Sequence, residues 1–175
     1  MSRIPLIDPE SQPGPIRDFA ARRGNINAFR VLANAPDVFA GWAQQVDELL
    51  DSPTFSLRTR EVVILRVAHL QDSRYEISQH SGIARAAGLT ERQINAILGA
   101  DDLDAAGFSR TERVVLDLVT ELCTTRRLTD ESFAAGHSAL GDEALTELLM
   151  LVSCYYGLAL VLNAVDVESD TGEGG

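Results

Sequence analysis

The chain contains no lysine: all 15 of its basic residues are arginines. None of its side chains can therefore form a Schiff base, hold pyridoxal phosphate as an imine, or act as the phosphate-binding lysine of a Walker motif. Cysteine is almost as scarce. Cys123 and Cys154 lie in apolar stretches with no C-x-x-C spacing, which reads as two small buried hydrophobes in a reducing compartment. Aromatics make up only 6% of the residues while Ala and Leu abound, a composition that leans helical. Positive charge is in deficit, with 26 acidic residues giving a net charge of −11. That balance argues against a nucleic-acid partner and against an anionic membrane surface, since both need a basic face. The N-terminal stretch lacks an apolar core of signal-peptide length, so the expected location is cytoplasmic.

What is present is enough for one globular domain: 175 residues, 45% of them apolar. Four of the six prolines fall within residues 1–16, which read as an extended N-terminal arm; residues 17–167 read as a helical domain and residues 168–175 as a disordered tail. No segment alternates with period two for long enough to predict a strand, so the expected class is all-α with about seven helices. Asn34 is placed to cap a helix reaching Leu50, with Pro36 in its first turn. A strongly apolar helix spans about Leu57 to Leu70. The next starts at Ser73 and stops at Gly88, suited to a C′ position. Thr90 with Gln93, and Ser109 with Glu112, match capping boxes for two further helices. Asp130 to Leu140 reads as a short helix, and Asp142 opens the last one.

Within that last helix, Leu148 to Val165 runs without a charge and approaches membrane-spanning length. Its flanks are Glu147 and Asp166, and no Arg follows Arg127, so a positive-inside anchor has no support. A helix apolar all round also suits a core or a subunit interface, and the chain is expected to be a homo-oligomer.

The stretch SRYEISQHSGIARAAGLT, from Ser73, poses the functional question. On a helical period Glu76 and His80 fall beside Ile77, Ile83 and Ala84, on the side expected to be buried. Glu61 lies in an apolar stripe of the preceding helix. A short turn between the two helices favours antiparallel packing, which brings Glu61, Glu76 and His80 towards one apolar pocket. Desolvation there raises a carboxylic acid's pKa and a neighbouring imidazole shares its proton, as acid–base catalysis requires. Each residue also has a plain structural alternative. Ser73-x-x-Glu76 fits a capping box, His80 fits a core histidine with a backbone partner, and Glu61 fits an ion pair with Arg85 or Arg113. The same three residues also have the composition of an open metal site, although no H-E-x-x-H motif or second nearby His supports one. His69 and His137 are read as surface or interface residues.

The segment RTREVVILRVAHL with YEISQHSGIARAAGLTERQINAIL resembles the carboxymuconolactone decarboxylase family, whose fold is shared with alkylhydroperoxidase D. The resemblance covers about Asn34 to Val165. Its motif is a Glu, a pair twelve and fifteen residues later, and a His at nineteen, here Glu61, Ser73, Glu76 and His80. In the peroxidase branch that pair is C-x-x-C. Both cysteines are missing here, which removes thiol peroxidase and disulfide-reductase chemistry.

What remains is similar to the decarboxylase branch with its Y-E-x-x-x-H motif, here Tyr75, Glu76 and His80. The resemblance implies an all-α, AhpD-like, oligomeric enzyme, often trimeric or hexameric. It implies no cofactor and no metal, and a small carboxylated lactone or related carboxylic acid as substrate. His80 would deliver a proton to carbon or hold the lactone oxygen, Glu76 would set its tautomer or relay the proton, and Glu61 would complete the relay. Ser73 and Tyr75 would contact substrate, and Arg74 or Arg66 would anchor its carboxylate. A non-catalytic oligomeric relative, with Glu76 only capping, stands as the alternative.

Overall fold

The computed structural model describes residues 2–170; Met1 and residues 171–175, most of the expected tail, lie outside the described residues. Among the described residues there are eight α-helices, a short 3-10 turn at Pro9–Ser11 and no strand. The helices are α1 (Gly14–Arg23), α2 (Asn27–Leu32), α3 (Pro36–Asp51), α4 (Leu57–Leu70), α5 (Arg74–Ala86), α6 (Glu91–Ile97), α7 (Arg110–Thr125) and α8 (Asp130–Val165). The chain is all-α, as its composition and missing alternation indicate. Contacts divide the described residues into two compact units, 2–52 with 161–170 and 53–160.

In the first unit, α1 starts inside the expected arm because Pro15 occupies its first turn, where a missing N–H costs nothing. Phe19, Phe29, Phe39 and Trp42 gather there, with ring centroids 4.8–6.4 Å apart, so three of the six Phe and the only Trp build one small core. Arg23 ties α1 to α3 through Asp47 at 2.8 Å and Asp51 at 2.7 Å. Asn34 does not cap α3. The N-cap is Ala35, and the Asn34 amide donates to the carbonyls of Pro5 and Val31, satisfying chain ends that a sequence period cannot reveal. Within the expected tail, Asp170 accepts from the Asn27 amide at 2.7 Å.

The second unit is organised around α4. Ser56 caps it, and every residue from Glu61 to Ala68 is buried, which explains a helix apolar on all sides. Val62 and Leu65 of α4 pack with Ala84, Leu89, Ile94, Ile97 and Leu116 from the segments that follow. Both capping boxes predicted on α6 and α7 are present. Arg58, in the first turn of α4, donates to Glu112 (2.7 Å), Gln93 (3.1 Å) and the Gly88 carbonyl (2.6 Å), so one guanidinium holds both boxes and the end of α5. Helix α8 bends at Gly141, whose φ of 75° and ψ of 176° leave the helical region, at the break expected between Leu140 and Asp142. By length and composition α8 is long and apolar enough to cross a membrane, yet Leu145, Leu148, Leu151, Val152, Tyr155 and Ala159 are buried within the chain.

Candidate active site

The site is set by how α4 ends. Asp72 adopts a left-handed conformation (φ 52°) at the C′ position, where a short polar side chain is tolerated. Its amide donates to the His69 carbonyl (3.1 Å), and the Ser73 amide donates back to Ala68 (2.8 Å). This pair of bonds is a Schellman closure. It turns the chain so that α5 packs against α4, and it consumes the Ser73 N–H.

The capping-box alternative at Ser73 therefore fails. Ser73 makes no side-chain cap, its amide is already committed to Ala68, and neither carboxyl oxygen of Glu76 has a hydrogen-bond partner. Glu61 does not pair with arginine either. Arg85 binds Glu91, and Arg113 binds Asp104 and Asp117.

Instead, Glu61 Oε2 lies 2.9 Å from His80 Nδ1. The Glu61 side chain is 2% exposed and that of His80 15%. His80 is thus not a core histidine held by the backbone, and its partner is Glu61 rather than Glu76, four residues away on the same helix. Glu61 at Nδ1 orients the ring and leaves Nε2 as the nitrogen that Glu61 does not engage. The His80 ring meets Tyr155 of α8 edge to face, with centroids 5.4 Å apart and planes at 84°. Tyr155 carries no assignment from the sequence. The only signal for it is a ring with a polar handle inside an otherwise uncharged helix.

Glu76 is 2% exposed and Ser73 is fully buried. Burial pushes the Glu76 carboxyl up to about 8, and no charged group contributes to its shift. Ser73 Oγ is a near neighbour that pulls the other way, although it is not in hydrogen-bonding geometry with Glu76. The two glutamates are thus differentiated: Glu61 accepts from an imidazole, and Glu76 is a neutral acid in an apolar surrounding.

The remaining expected residues separate. Tyr75 is buried on the first turn of α5 beside Glu76, and Arg74 is exposed on that turn. Arg66 is not with them. It is buried, its Nε donates to Thr120 Oγ1 (2.9 Å) and an Nη to the Ile97 carbonyl (2.9 Å), so it braces α4 against α7 and α6. Ile83, expected on the inward face, is 42% exposed, whereas its neighbour Ala84 is buried against α4. The metal alternative finds no geometry: among the described residues no three His, Cys, Asp or Glu side chains converge. Both cysteines are buried, and burial pushes the Cys123 thiol up to about 11, away from a reactive thiolate.

Residues 36–120 match the model of the Carboxymuconolactone decarboxylase family. No match is found among curated protein sequences. Among solved structures, the chain is similar to an uncharacterized peroxidase-related protein with an alkylhydroperoxidase AhpD core from Ralstonia eutropha. Identity is 18% and the TM-score 0.82, over 97% of this chain and 93% of that one. It is also similar to the debrominase Bmp8, solved as a cysteine-to-alanine variant with 2,3,4-tribromopyrrole (15% identity, TM-score 0.78, 98% and 95% coverage). A third is a putative antioxidant defence protein AhpD from Agrobacterium tumefaciens (15% identity, TM-score 0.72, 79% and 94% coverage). At these identities the likeness to the solved structures is one of fold.

Proposed function

We propose, from the match of residues 36–120 to the carboxymuconolactone decarboxylase family model, that the chain is a cofactor-free acid–base enzyme acting on a small carboxylated lactone or β-keto-type acid. The observation that carries this reading is the buried Glu61–His80 bond of 2.9 Å, which leaves one imidazole nitrogen available for proton transfer. Decarboxylation leaves an electron pair that a conjugated carbonyl or lactone in the substrate delocalises. The reaction then needs one proton on carbon. His80 delivers it, and Glu61 fixes the ring and stabilises the imidazolium. Arg74, exposed beside the site, anchors the carboxylate, and Tyr75 and Ser73 line the first turn against which substrate binds. The same residues serve an isomerisation or lactone opening through the same kind of intermediate. The protein is read as cytoplasmic, and as a trimer or hexamer joined through the exposed apolar residues of α8, among them Met150 and Leu160.

Thiol peroxidase chemistry is not part of this proposal, because the positions of the family's redox pair hold Ser73 and Glu76. The test is turnover of a panel of carboxylated lactones and β-keto acids, followed by ultraviolet absorbance and release of carbon dioxide. His80→Ala abolishes turnover while leaving the melting temperature within a few degrees of the parent. A His80→Ala protein that keeps the parent rate sinks the reading.

A further inference from the structure

Ser73 Oγ and both carboxyl oxygens of Glu76 are buried with no hydrogen-bond partner, on two residues three positions apart at the start of α5. Leaving such atoms unsatisfied carries the full desolvation penalty of each, so a native fold that retains them calls for an explanation outside the packing. Capping is excluded by the bond from the Ser73 amide to Ala68. Pairing with His80 is excluded because neither Glu76 carboxyl oxygen has a hydrogen-bond partner, and the ring's Nδ1 is held by Glu61.

We propose that Ser73 and Glu76 form a neutral hydrogen-bonding cradle for the enolate oxygen that the substrate develops, separate in role from the Glu61–His80 proton-transfer pair. This rests on the acid–base reading above and deepens it by defining the substrate class: acids whose departing group leaves its electron pair conjugated with a carbonyl or lactone oxygen.

A carboxyl group kept protonated by apolar burial is a donor, not a base, and it is worth most where negative charge develops out of water. Ser73 Oγ–H is a second donor on the same turn. In the decarboxylation the bond between carbon and the carboxylate breaks and carbon dioxide leaves. The electron pair passes into the carbonyl, whose oxygen becomes the enolate and accepts from Glu76 O–H and Ser73 O–H. The pair then returns to carbon, which takes the Nε2 proton of the His80 imidazolium. Solvent restores that proton, so one proton is consumed for each carbon dioxide released. Glu76 keeps its own proton throughout, and that separates a donor from a relay.

The test uses para-nitrophenol as an enolate mimic, bound to the full-length protein and followed by calorimetry and by its phenolate absorbance. At a pH below the probe's own pKa, bound probe is expected as phenolate. Glu76→Ala and Ser73→Ala each weaken binding by about tenfold or more. Glu76→Gln, which keeps a neutral donor of the same size, binds within a few-fold of the parent, and so does His80→Gln. Binding that ignores Glu76→Ala, a Glu76→Gln variant as damaged as Glu76→Ala, or no saturable binding to the parent overturns the cradle. If Glu76→Ala does not fold, the comparison of Ser73→Ala with Glu76→Gln decides. Failed phenolate binding with His80-dependent turnover intact overturns the cradle alone. Intact phenolate binding with turnover indifferent to His80 overturns only the acid–base reading.

Discussion

Two helices of this chain begin with nearly the same four residues, Ser73-Arg-Tyr-Glu76 on α5 and Ser109-Arg-Thr-Glu112 on α7. On α7 the serine hydroxyl accepts from the Glu112 amide (3.2 Å), and Glu112 accepts from the Ser109 amide (2.8 Å). On α5 neither bond exists. The difference lies in what surrounds the two starts. A loop leads into Ser109, so its amide is free to be capped, and Arg58 brings a guanidinium to the carboxylate. Ser73 follows α4 after a two-residue turn, so its amide closes the end of that helix. Its glutamate is left buried without a cation. The two carboxyls are consequently driven apart. Burial pushes Glu112 up, but Ser109 and Arg58 outweigh it and hold the group below its ordinary value, whereas Glu76 rises to about 8. One motif is a structural clasp and the other is available for chemistry.

This contrast can be broken or sharpened by experiment. The largest effect is expected from the carboxylate that serves the α5 site: Glu61→Gln lowers turnover on the order of a hundredfold, since it removes the charge that stabilises the His80 imidazolium. Glu112→Gln, a change of the same kind on the structural helix, leaves turnover unaltered. Equal rate losses in the two variants would erase the distinction.

Next comes the pH dependence of stability. The folded chain holds the Glu76 proton up to about pH 8, while the unfolded chain releases it near pH 4.5. Folding is therefore favoured at low pH and weakened as pH rises between those values, by roughly 3–5 kcal/mol from this group. Urea unfolding at pH 5 and pH 8 checks it, because Glu76→Gln removes that loss. Glu112 has the opposite sign. Its depressed value contributes stability above the ordinary carboxylate range that disappears as the solution is acidified.

Arg58→Ala is expected to cost roughly 2–3 kcal/mol, because it strips partners from Glu112, Gln93 and Gly88 at once. Chemical denaturation measures it, and a cost below about 0.5 kcal/mol would mean that the two boxes hold without the clasp. The smallest difference is between the two serines. Ser109→Ala loses a cap worth about 1 kcal/mol, while Ser73→Ala loses none and removes a buried unpartnered hydroxyl. Melting temperatures of the pair suffice to compare them.

Much of the fold could be read in advance from local features. The helix from Leu57 to Leu70, the boxes at Thr90 and Ser109, and the break between Leu140 and Asp142 depend on residues within a few positions of one another. The prominence of Glu61, Glu76 and His80 was legible for the same reason, since a charged or ionisable residue on an apolar stripe is anomalous whatever packs against it. Pairings between helices were not legible. Arg66 looked like a substrate anchor and is a brace, because period alone does not say that Thr120 and the Ile97 carbonyl lie above it. Asn34 looked like a cap and serves Pro5. Tyr155, 75 positions beyond His80, reaches the imidazole only through the course of α8.

The sequence by itself determined which chemistry is closed to this protein. With no lysine and no cysteine pair, Schiff-base and dithiol redox chemistry are not open to it, while two glutamates and a histidine stand among apolar residues. Only the tertiary structure decided how that equipment is divided. A left-handed residue at Asp72 commits the Ser73 amide to Ala68, antiparallel packing gives His80 to Glu61, and the apolar surround leaves Glu76 protonated. The physical reason is that helix periodicity fixes which face of a helix a residue occupies, whereas hydrogen bonding and desolvation depend on the neighbours that other segments bring to that face.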